Sequence, residues 1–154
     1  FLRGLPYMFI STNDPEETFK TGEKLGRSAR PGQVITLSGD LGTGKTVFAK
    51  GFAAGLGIEE PITSPTFTIL QEYTSGRIPL YHFDVYRVSD PEDMYEVGFD
   101  DYICGNGVCL IEWAELIEDI LPKDRIRVSI IKDDPNLFEH RRIEINGLEG
   151  EMDL

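Results

Sequence analysis

Apolar and polar residues alternate along the chain in two distinct patterns. Compact runs rich in Val, Ile and Leu are typical of buried strands, whereas apolar residues spaced three or four apart are typical of helices with one buried face. The first pattern predicts strands over residues 8–13, 33–38, 66–73, 78–86, 107–113, 125–131 and 139–145. The second predicts a helix over about 44–57. Signals for the start and end of a helix predict others over about 14–29 and 114–122, and one that begins at Ser89.

Local signals mark where these helices begin and end. Residues 13–15 offer a capping Asn or Asp, followed by a proline that suits the first turn of a helix. Ser89, with Glu92 three residues later, forms a capping box. Gly57 is placed to end the second helix, whose buried face would consist of Phe48, Phe52 and Leu56.

Strands alternate with helices in the first half of the chain, and hairpins follow. Residues 66–73 and 78–86 flank a short turn, and 125–131 and 139–145 are expected to pair antiparallel. This order predicts an α/β domain of three layers with a mixed parallel and antiparallel central sheet. We expect a single domain over residues 8–154, and treat residues 1–7 as a remnant of expression or an N-terminal extension.

Charge and composition narrow the classes of partner. The net charge is -12, so the chain is not expected to bind RNA or DNA tightly by itself, and an acidic surface better suits a basic protein. The sequence shows no secretory signal and no apolar run near the ~20 residues of a membrane span, which predicts a cytoplasmic protein. Cys104 and Cys109 have neither zinc nor redox-motif spacing and are expected to be free thiols.

The segment SGDLGTGKTVF, residues 38–48, carries the clearest chemical signal. Gly39, Gly44, Lys45 and Thr46 satisfy the Walker A pattern G-x-x-x-x-G-K-[ST]. Glycines let successive backbone N–H groups converge on a phosphate, the lysine supplies a charge, and the threonine hydroxyl is placed for Mg²⁺. A buried strand before the segment and an amphipathic helix after it favour a P-loop over a simple turn. The expected fold is therefore P-loop NTPase-like.

A P-loop nucleotidase also needs carboxylates near its metal, and two residues are candidates. Glu112 follows four apolar residues at a predicted strand end, and we favour it as the metal-side acid. Asp84 ends the less uniform run LYHFD and is a candidate second acid or water-orienting residue. The simpler alternatives are a helix cap for Glu112 and a solvated strand residue for Asp84.

The cluster TSPTFT, residues 63–68, has two interpretations of equal weight from the sequence. Its hydroxyl groups are suited to a switch loop that senses the γ-phosphate. Ser, Thr and Pro are equally common in an ordinary turn before a strand.

The motifs GDLGTGKT, SPTF, YHFDVYR and LIEW occur in this order in a short chain. Together they resemble the TsaE (YjeE) family, the bacterial ATPase component of the machinery that makes N6-threonylcarbamoyladenosine (t6A) in tRNA. The resemblance covers about Met8 to Ile145. It implies ATP and Mg²⁺ as ligands, TsaD-like and TsaB-like partner proteins, and only indirect contact with tRNA.

The resemblance also implies roles for individual residues. Thr46 and Glu112 would lie on the metal, and Asp84 would position water with Lys45 as the other catalytic residue. Thr66 would belong to a nucleotide-sensing switch, and Trp113 would lie beside the nucleotide unless it is an ordinary core residue. The phosphate-binding residues would be Gly39, Asp40, Leu41, Gly42, Thr43, Gly44, Lys45, Thr46 and Val47.

The same motifs leave alternatives to an ATPase subunit for tRNA modification. A non-catalytic, ATP-loaded switch that docks on partners fits them equally well. A small-molecule P-loop kinase is less favoured, because no Arg-rich insertion of lid length is present in the sequence. The sequence also has no N-K-x-D motif of the kind that reads a guanine base.

Overall fold

The computed structural model describes residues 7–40 and 42–147, which form a mixed sheet with helices on both faces. The strands are β1 Tyr7–Thr12, β2 Val34–Ser38, β3 Leu70–Tyr73, β4 Leu80–Asp84, β5 Val108–Glu112, β6 Ile126–Ile131 and β7 Arg141–Asn146. The α-helices are α1 Pro15–Ser28, α2 Lys45–Gly55 and α3 Phe99–Ile103. Two 3₁₀ helices cover Pro91–Val97 and Ala114–Ile120.

The seven strands lie in the order β1-β7-β6-β2-β5-β4-β3. The four central strands β6, β2, β5 and β4 are parallel, whereas β3, β7 and β1 run antiparallel to their neighbours. This confirms the predicted mixed sheet and the antiparallel pairing of the last two strands. Because parallel strands end at one edge, the glycine loop after β2 lies beside the ends of β4 and β5.

Two apolar clusters fill the space on the two faces of the sheet. The first contains the buried face of α2, as predicted, and packs against inward residues of β2, β5, β6 and β7. The second lies beneath the two 3₁₀ helices and α3, against the other face of β4 and β5. Alternation along β4 therefore places Leu80, His82 and Asp84 on the α2 side, and Tyr81 and Phe83 on the other.

Helices α1 and α2 pack against each other through glycines. A Cβ atom at Gly22 or Gly26 of α1 would lie 2.3 or 2.2 Å from a backbone carbonyl oxygen of α2. A Cβ atom at Gly51 or Gly55 of α2 would lie 2.0 or 2.1 Å from a carbonyl oxygen of α1. The two backbones are thus in direct contact, at a distance that no side chain permits.

The predicted strand 66–73 is wrong over its first half, because β3 begins only at Leu70. The backbone N–H groups of Thr68 and Ile69 both donate to the carbonyl of Pro65, which closes a turn instead. Ile69 has a φ of 67°, a left-handed conformation that is rare for a β-branched residue and incompatible with a strand.

The predicted capping box at Ser89 is also wrong by one residue. Asp90 is the N-cap, and its side chain accepts a hydrogen bond from the N–H of Glu92. The helices here and at Ala114–Ile120 are 3₁₀ rather than α-helical, as is common for runs of one or two turns. The last strand begins at Arg141, not residue 139, because a turn carries the N–H of His140 back to the carbonyl of Leu137.

Candidate nucleotide site

The glycine loop connects β2 to α2, and its backbone has the left-handed conformations that the motif predicts. Gly44 is the N-cap of α2 with a φ of 105°, which favours glycine. A Cβ atom at Gly39 would lie 2.6 Å from Thr43 Oγ1 and 2.7 Å from the carbonyl oxygen of Ile130. Neither position accepts a side chain without strain, which explains why glycine occupies both.

The N-terminus of α2 has no side-chain cap, in contrast to that of α1. In α1 the Asp14 carboxylate accepts from the N–H of Glu17, and acidic residues occupy the first turn. In α2 no side chain caps the helix, no acidic residue lies in the first turn, and the first residue is Lys45. A cation at the positive end of a helix is unfavourable unless an anion joins it, so this end of α2 is suited to bind a phosphate.

The Lys45 side chain is buried, and its ammonium group turns back over the loop. Nζ donates to the carbonyl of Gly39 at 2.8 Å and lies 4.0 Å from the ring centroid of Trp113. No ion pair among the described residues includes Lys45. A nearly buried ammonium group held only by a carbonyl and a ring is available to an incoming anion.

Asp84 and Glu112 end the adjacent strands β4 and β5 and pair directly in register. Asp84 is 4% exposed, so the solvated-strand alternative is wrong. Its Oδ2 accepts from Thr66 Oγ1 at 3.1 Å, and its Oδ1 accepts from the backbone N–H of Tyr86 at 3.0 Å. The loop that contains Thr66 is therefore tied to the strand-end carboxylate.

Glu112 is also buried, and it does not cap the following helix. Trp113 is the N-cap of Ala114–Ile120, and no side-chain hydrogen bond caps that helix. The Glu112 carboxylate instead meets a buried histidine, since its Oε2 lies 2.7 Å from Nε2 of His82. The helix-cap alternative for Glu112 is wrong.

These groups line one cleft of about 480 Å³. Most of the predicted site residues meet there, although they come from four separate segments of the chain. The lining residues are Gly42, Gly44, Lys45, Thr46, Ser64, Thr66, Asp84, Tyr86, Glu112 and Trp113. Of the other predicted residues, Gly39, Asp40, Thr43 and Val47 lie around the loop but outside this cleft, and Leu41 lies outside the described residues.

Trp113 is half-buried: it lines the cleft and also packs against the second apolar cluster, so the structure leaves both predicted roles open. Its ring is 4.8 Å from that of Tyr86, and its backbone has a φ of 62°. A left-handed backbone is uncommon for an aromatic residue, and such strain is often found at functional sites.

A second, smaller cavity of about 190 Å³ lies next to the cleft and shares Gly42 and Gly44 of the loop with it. It is lined by loop residues, the start of α1 and α2, and the segment before β7, with Phe138 and Arg141 among its residues. The Arg141 guanidinium donates from Nε to the carbonyl of Thr43 at 2.9 Å and from Nη2 to that of Gly42 at 3.4 Å. Arg141 therefore ties two carbonyls of the loop to the start of β7.

Sequence comparison gives the family of the chain. A family model described as "Threonylcarbamoyl adenosine biosynthesis protein TsaE" matches residues 12–143. The chain belongs to the TsaE family. The protein of Bacillus subtilis named "tRNA threonylcarbamoyladenosine biosynthesis protein TsaE" is 53% identical over 119 residues, covering 77% of this chain and 74% of that protein. The Treponema pallidum protein of the same name is 46% identical over 115 residues, covering 75% and 84%.

A solved structure agrees with this TsaE assignment. The crystal structure of YdiB from Bacillus subtilis superposes with a TM-score of 0.80 at 43% identity, covering 92% of this chain and 86% of that one. The match confirms the predicted α/β fold. None of the described helices has the length and apolar character needed to cross a membrane.

The donor set of this TsaE chain fits Mg²⁺ held with a nucleotide. The described residues contain no cluster of three or more His, Cys, Asp or Glu side chains that would hold a metal ion by themselves. Nucleotide-bound Mg²⁺ needs none, because phosphates and water supply most of its ligands and the protein adds one or two oxygens. Thr46 and Glu112 line the cleft and offer such oxygens.

Three residues in or beside the site were not predicted from the sequence: His82, Tyr86 and Arg141. A signal for His82 was present, because strand alternation places it on the same face as Asp84. Tyr86 lies two residues after Asp84, a predicted site residue. No local signal marks Arg141, whose role depends on contacts with loop residues almost 100 positions earlier in the chain.

Proposed function

We propose that this TsaE-family chain binds ATP with Mg²⁺ and hydrolyses it, as a subunit required for t6A formation in tRNA. The observation that carries the proposal is one cleft that joins an uncapped glycine-loop helix to two buried carboxylates. The names of the relatives indicate the t6A pathway, and the Walker A motif of this chain indicates that the ligand is a nucleotide.

The loop and the start of α2 would bind the phosphates. The first N–H groups of α2 have no intrahelical acceptor, so they are free to donate to phosphate oxygens. Lys45 would leave the Gly39 carbonyl and the Trp113 ring for the phosphate charge. The small cavity beside Phe138 and Arg141 adjoins the cleft at Gly42 and Gly44, and we propose that the nucleoside binds there.

The two carboxylates would have different roles, one toward the metal and the other toward the attacking water. Glu112 and the Thr46 hydroxyl would hold Mg²⁺, which neutralises phosphate charge when it is bound. Asp84 would accept a hydrogen bond from the attacking water and orient it toward the phosphate. Burial of both carboxylates keeps bulk water from competing for them.

One contact favours the second candidate, an ATP-loaded switch that hydrolyses slowly. Both oxygens of Asp84 are already hydrogen-bonded, one to Thr66 and the other to Tyr86. Each carboxylate oxygen still has a lone pair for a water, but the Thr66 contact occupies part of the acceptor capacity of Oδ2. A partner protein that moves the Thr66 loop would free Oδ2 for the attacking water and would therefore speed a slow hydrolysis.

The distribution of charge supports protein partners of TsaD-like and TsaB-like type over direct tRNA binding. Between Val88 and Pro122 lie ten of the 27 acidic residues and none of the 15 basic ones. This segment contains both 3₁₀ helices and α3, beside the cleft. Its field would repel nucleic acid and attract a basic protein surface.

Steady-state kinetics of Asp84→Asn tests the proposal. We expect ATP affinity within about threefold of wild type and turnover lowered about 10²- to 10⁴-fold, because the variant keeps the shape and loses the base. Lys45→Ala, as a control, should lose both. Wild-type turnover in Asp84→Asn would remove the proposed role of Asp84.

A reconstitution separates the two candidates. ATP turnover and t6A formation are measured with partner proteins, tRNA, threonine and bicarbonate, with and without this chain. An ATPase subunit should show turnover well above that of the lone chain and should sustain repeated rounds of modification. Binding that depends on ATP without stimulated hydrolysis would favour the switch, and t6A formation independent of the chain would contradict both.

A further inference from the structure

A buried histidine behind the cleft takes no part in the phosphate and water chemistry proposed above. His82 lies on β4, two residues before Asp84 and on the same face of the sheet. Its side chain is 2% exposed, and its Nε2 lies 2.7 Å from Oε2 of Glu112, whose side chain is 7% exposed. The contact joins two neighbouring strands and is closed to water.

The partners of the ring define its tautomer. The other ring nitrogen, Nδ1, is buried and has no hydrogen-bond partner among the described residues. A carboxylate oxygen only accepts, so a neutral His82 must carry its proton on Nε2 and donate it to Glu112. The opposite tautomer would place a lone pair against the carboxylate and also leave a buried N–H without an acceptor.

Packing alone does not explain a histidine at this position. The adjacent positions on the same face, Leu80 and Leu110, are fully buried aliphatic residues. An aliphatic residue at position 82 would fill a similar volume without leaving Nδ1 buried and unpaired. The hydrogen bond to Glu112 is the interaction that only a donor at position 82 can supply.

We infer that His82 is a positioning residue that fixes the carboxylate of Glu112 in the cleft. With Oε2 held by His82, the other oxygen, Oε1, makes no hydrogen bond to the described residues and remains for the metal side of the site. A glutamate has three side-chain torsions, so a donor behind it removes freedom that metal binding would otherwise have to remove. The inference rests on the proposed function for Glu112.

Nitrogen NMR of histidine-labelled protein without nucleotide tests the geometry alone. The chain has two histidines, and a His140→Gln variant assigns the signals. We expect Nε2 of His82 to carry a proton that is hydrogen-bonded to Glu112. An Nε2 without a proton would overturn the inference, whether or not the protein proves to be an ATPase.

Two variants of similar size test the role. His82→Leu removes the donor, and His82→Gln keeps an N–H near the Nε2 position. Mg²⁺ is titrated into each protein with bound ADP, the fluorescence of the single tryptophan, Trp113, is recorded, and ADP affinity is measured separately in EDTA. Thermal unfolding of each variant shows whether it is folded.

We expect His82→Leu to bind Mg²⁺ about 10- to 100-fold more weakly, with Mg²⁺-free ADP affinity within about twofold of wild type. His82→Gln should recover most of the Mg²⁺ affinity. The positioning role would be overturned by an equal loss of Mg²⁺ affinity in both variants, or by wild-type Mg²⁺ affinity in His82→Leu. Failure of the wild type to bind Mg²⁺ with nucleotide, despite the expected tautomer, would instead overturn the proposed function.

Discussion

The contact between α1 and α2 predicts that a single methyl group at Gly51 destabilises the fold. In an exposed helix, Gly→Ala stabilises by about 1 kcal/mol. At Gly51 the new Cβ atom would lie 2.0 Å from the carbonyl oxygen of Phe19, whereas contacts below 3.0 Å are essentially never seen. The helices must therefore separate by about 1 Å, which also loosens the packing of Phe48 and Phe52 in the core.

The magnitude follows from these opposing terms. Overpacking costs typically about 1–3 kcal/mol, and this site belongs at or above the upper end because backbone, not a flexible side chain, must move. After subtracting the gain in helix propensity, we expect a net loss of about 2–3 kcal/mol in the free energy of unfolding. For a domain of this size, this corresponds to a Tm lower by about 5–10 °C.

Urea denaturation of Gly51→Ala, monitored by circular dichroism, measures the loss. Lys50 is exposed on the same helix, so comparing Lys50→Gly with Lys50→Ala gives the local propensity term without a clash. Lys50→Gly should be less stable than Lys50→Ala by about 1 kcal/mol. A Gly51→Ala variant as stable as wild type would refute the reasoning, because it would show that the helices do not cross at backbone contact.

Three further predictions concern the site and its surroundings. Arg141→Ala should weaken ADP binding about 10-fold, because two loop carbonyls lose their hydrogen-bond donor. Arg142→Ala, on the same strand, should leave ADP affinity unchanged. Equal ADP affinities in the two variants would contradict a role of Arg141 in holding the loop. Nucleotide binding should change the fluorescence of Trp113 by removing the Lys45 ammonium from its ring, which a stopped-flow titration checks; a constant signal would count against that movement. Burial raises the pKa of the Cys109 thiol to about 12, so at neutral pH a thiol reagent should modify the exposed Cys104 alone and reach Cys109 only in denaturant.

The sequence defined the site wherever a side chain's role depends on its neighbours along the chain. The glycine loop, the strand ends at Asp84 and Glu112, and the helix after the loop are all local patterns. The turn at residues 66–69 was misread as a strand, because β-branched residues there favour extended backbone until Pro65 supplies a hydrogen-bond acceptor for two N–H groups.

The sequence did not predict the contacts between residues that are far apart along the chain. Gly22 and Gly51 read as ordinary helix-weakening residues, and only the crossing of α1 and α2 explains them. His82 interrupts an apolar run, and its partner on β5 is defined only by the strand order. Arg141 appears as one of several basic residues until the sheet brings β7 near the loop.

The strand order has a consequence for synthesis of the protein on the ribosome. Among the described strands, β1 pairs with β7 alone, so its backbone N–H and C=O groups have no strand partner until residues 141–146 have left the exit tunnel. The same strand, β7, contains Arg141, whose guanidinium donates hydrogen bonds to two carbonyls of the glycine loop. A nascent chain stalled before residue 141 can pack α1 on α2 but lacks the Arg141 contacts to the loop, so the proposed tight binding of nucleotide should arise only after β7 has been synthesised.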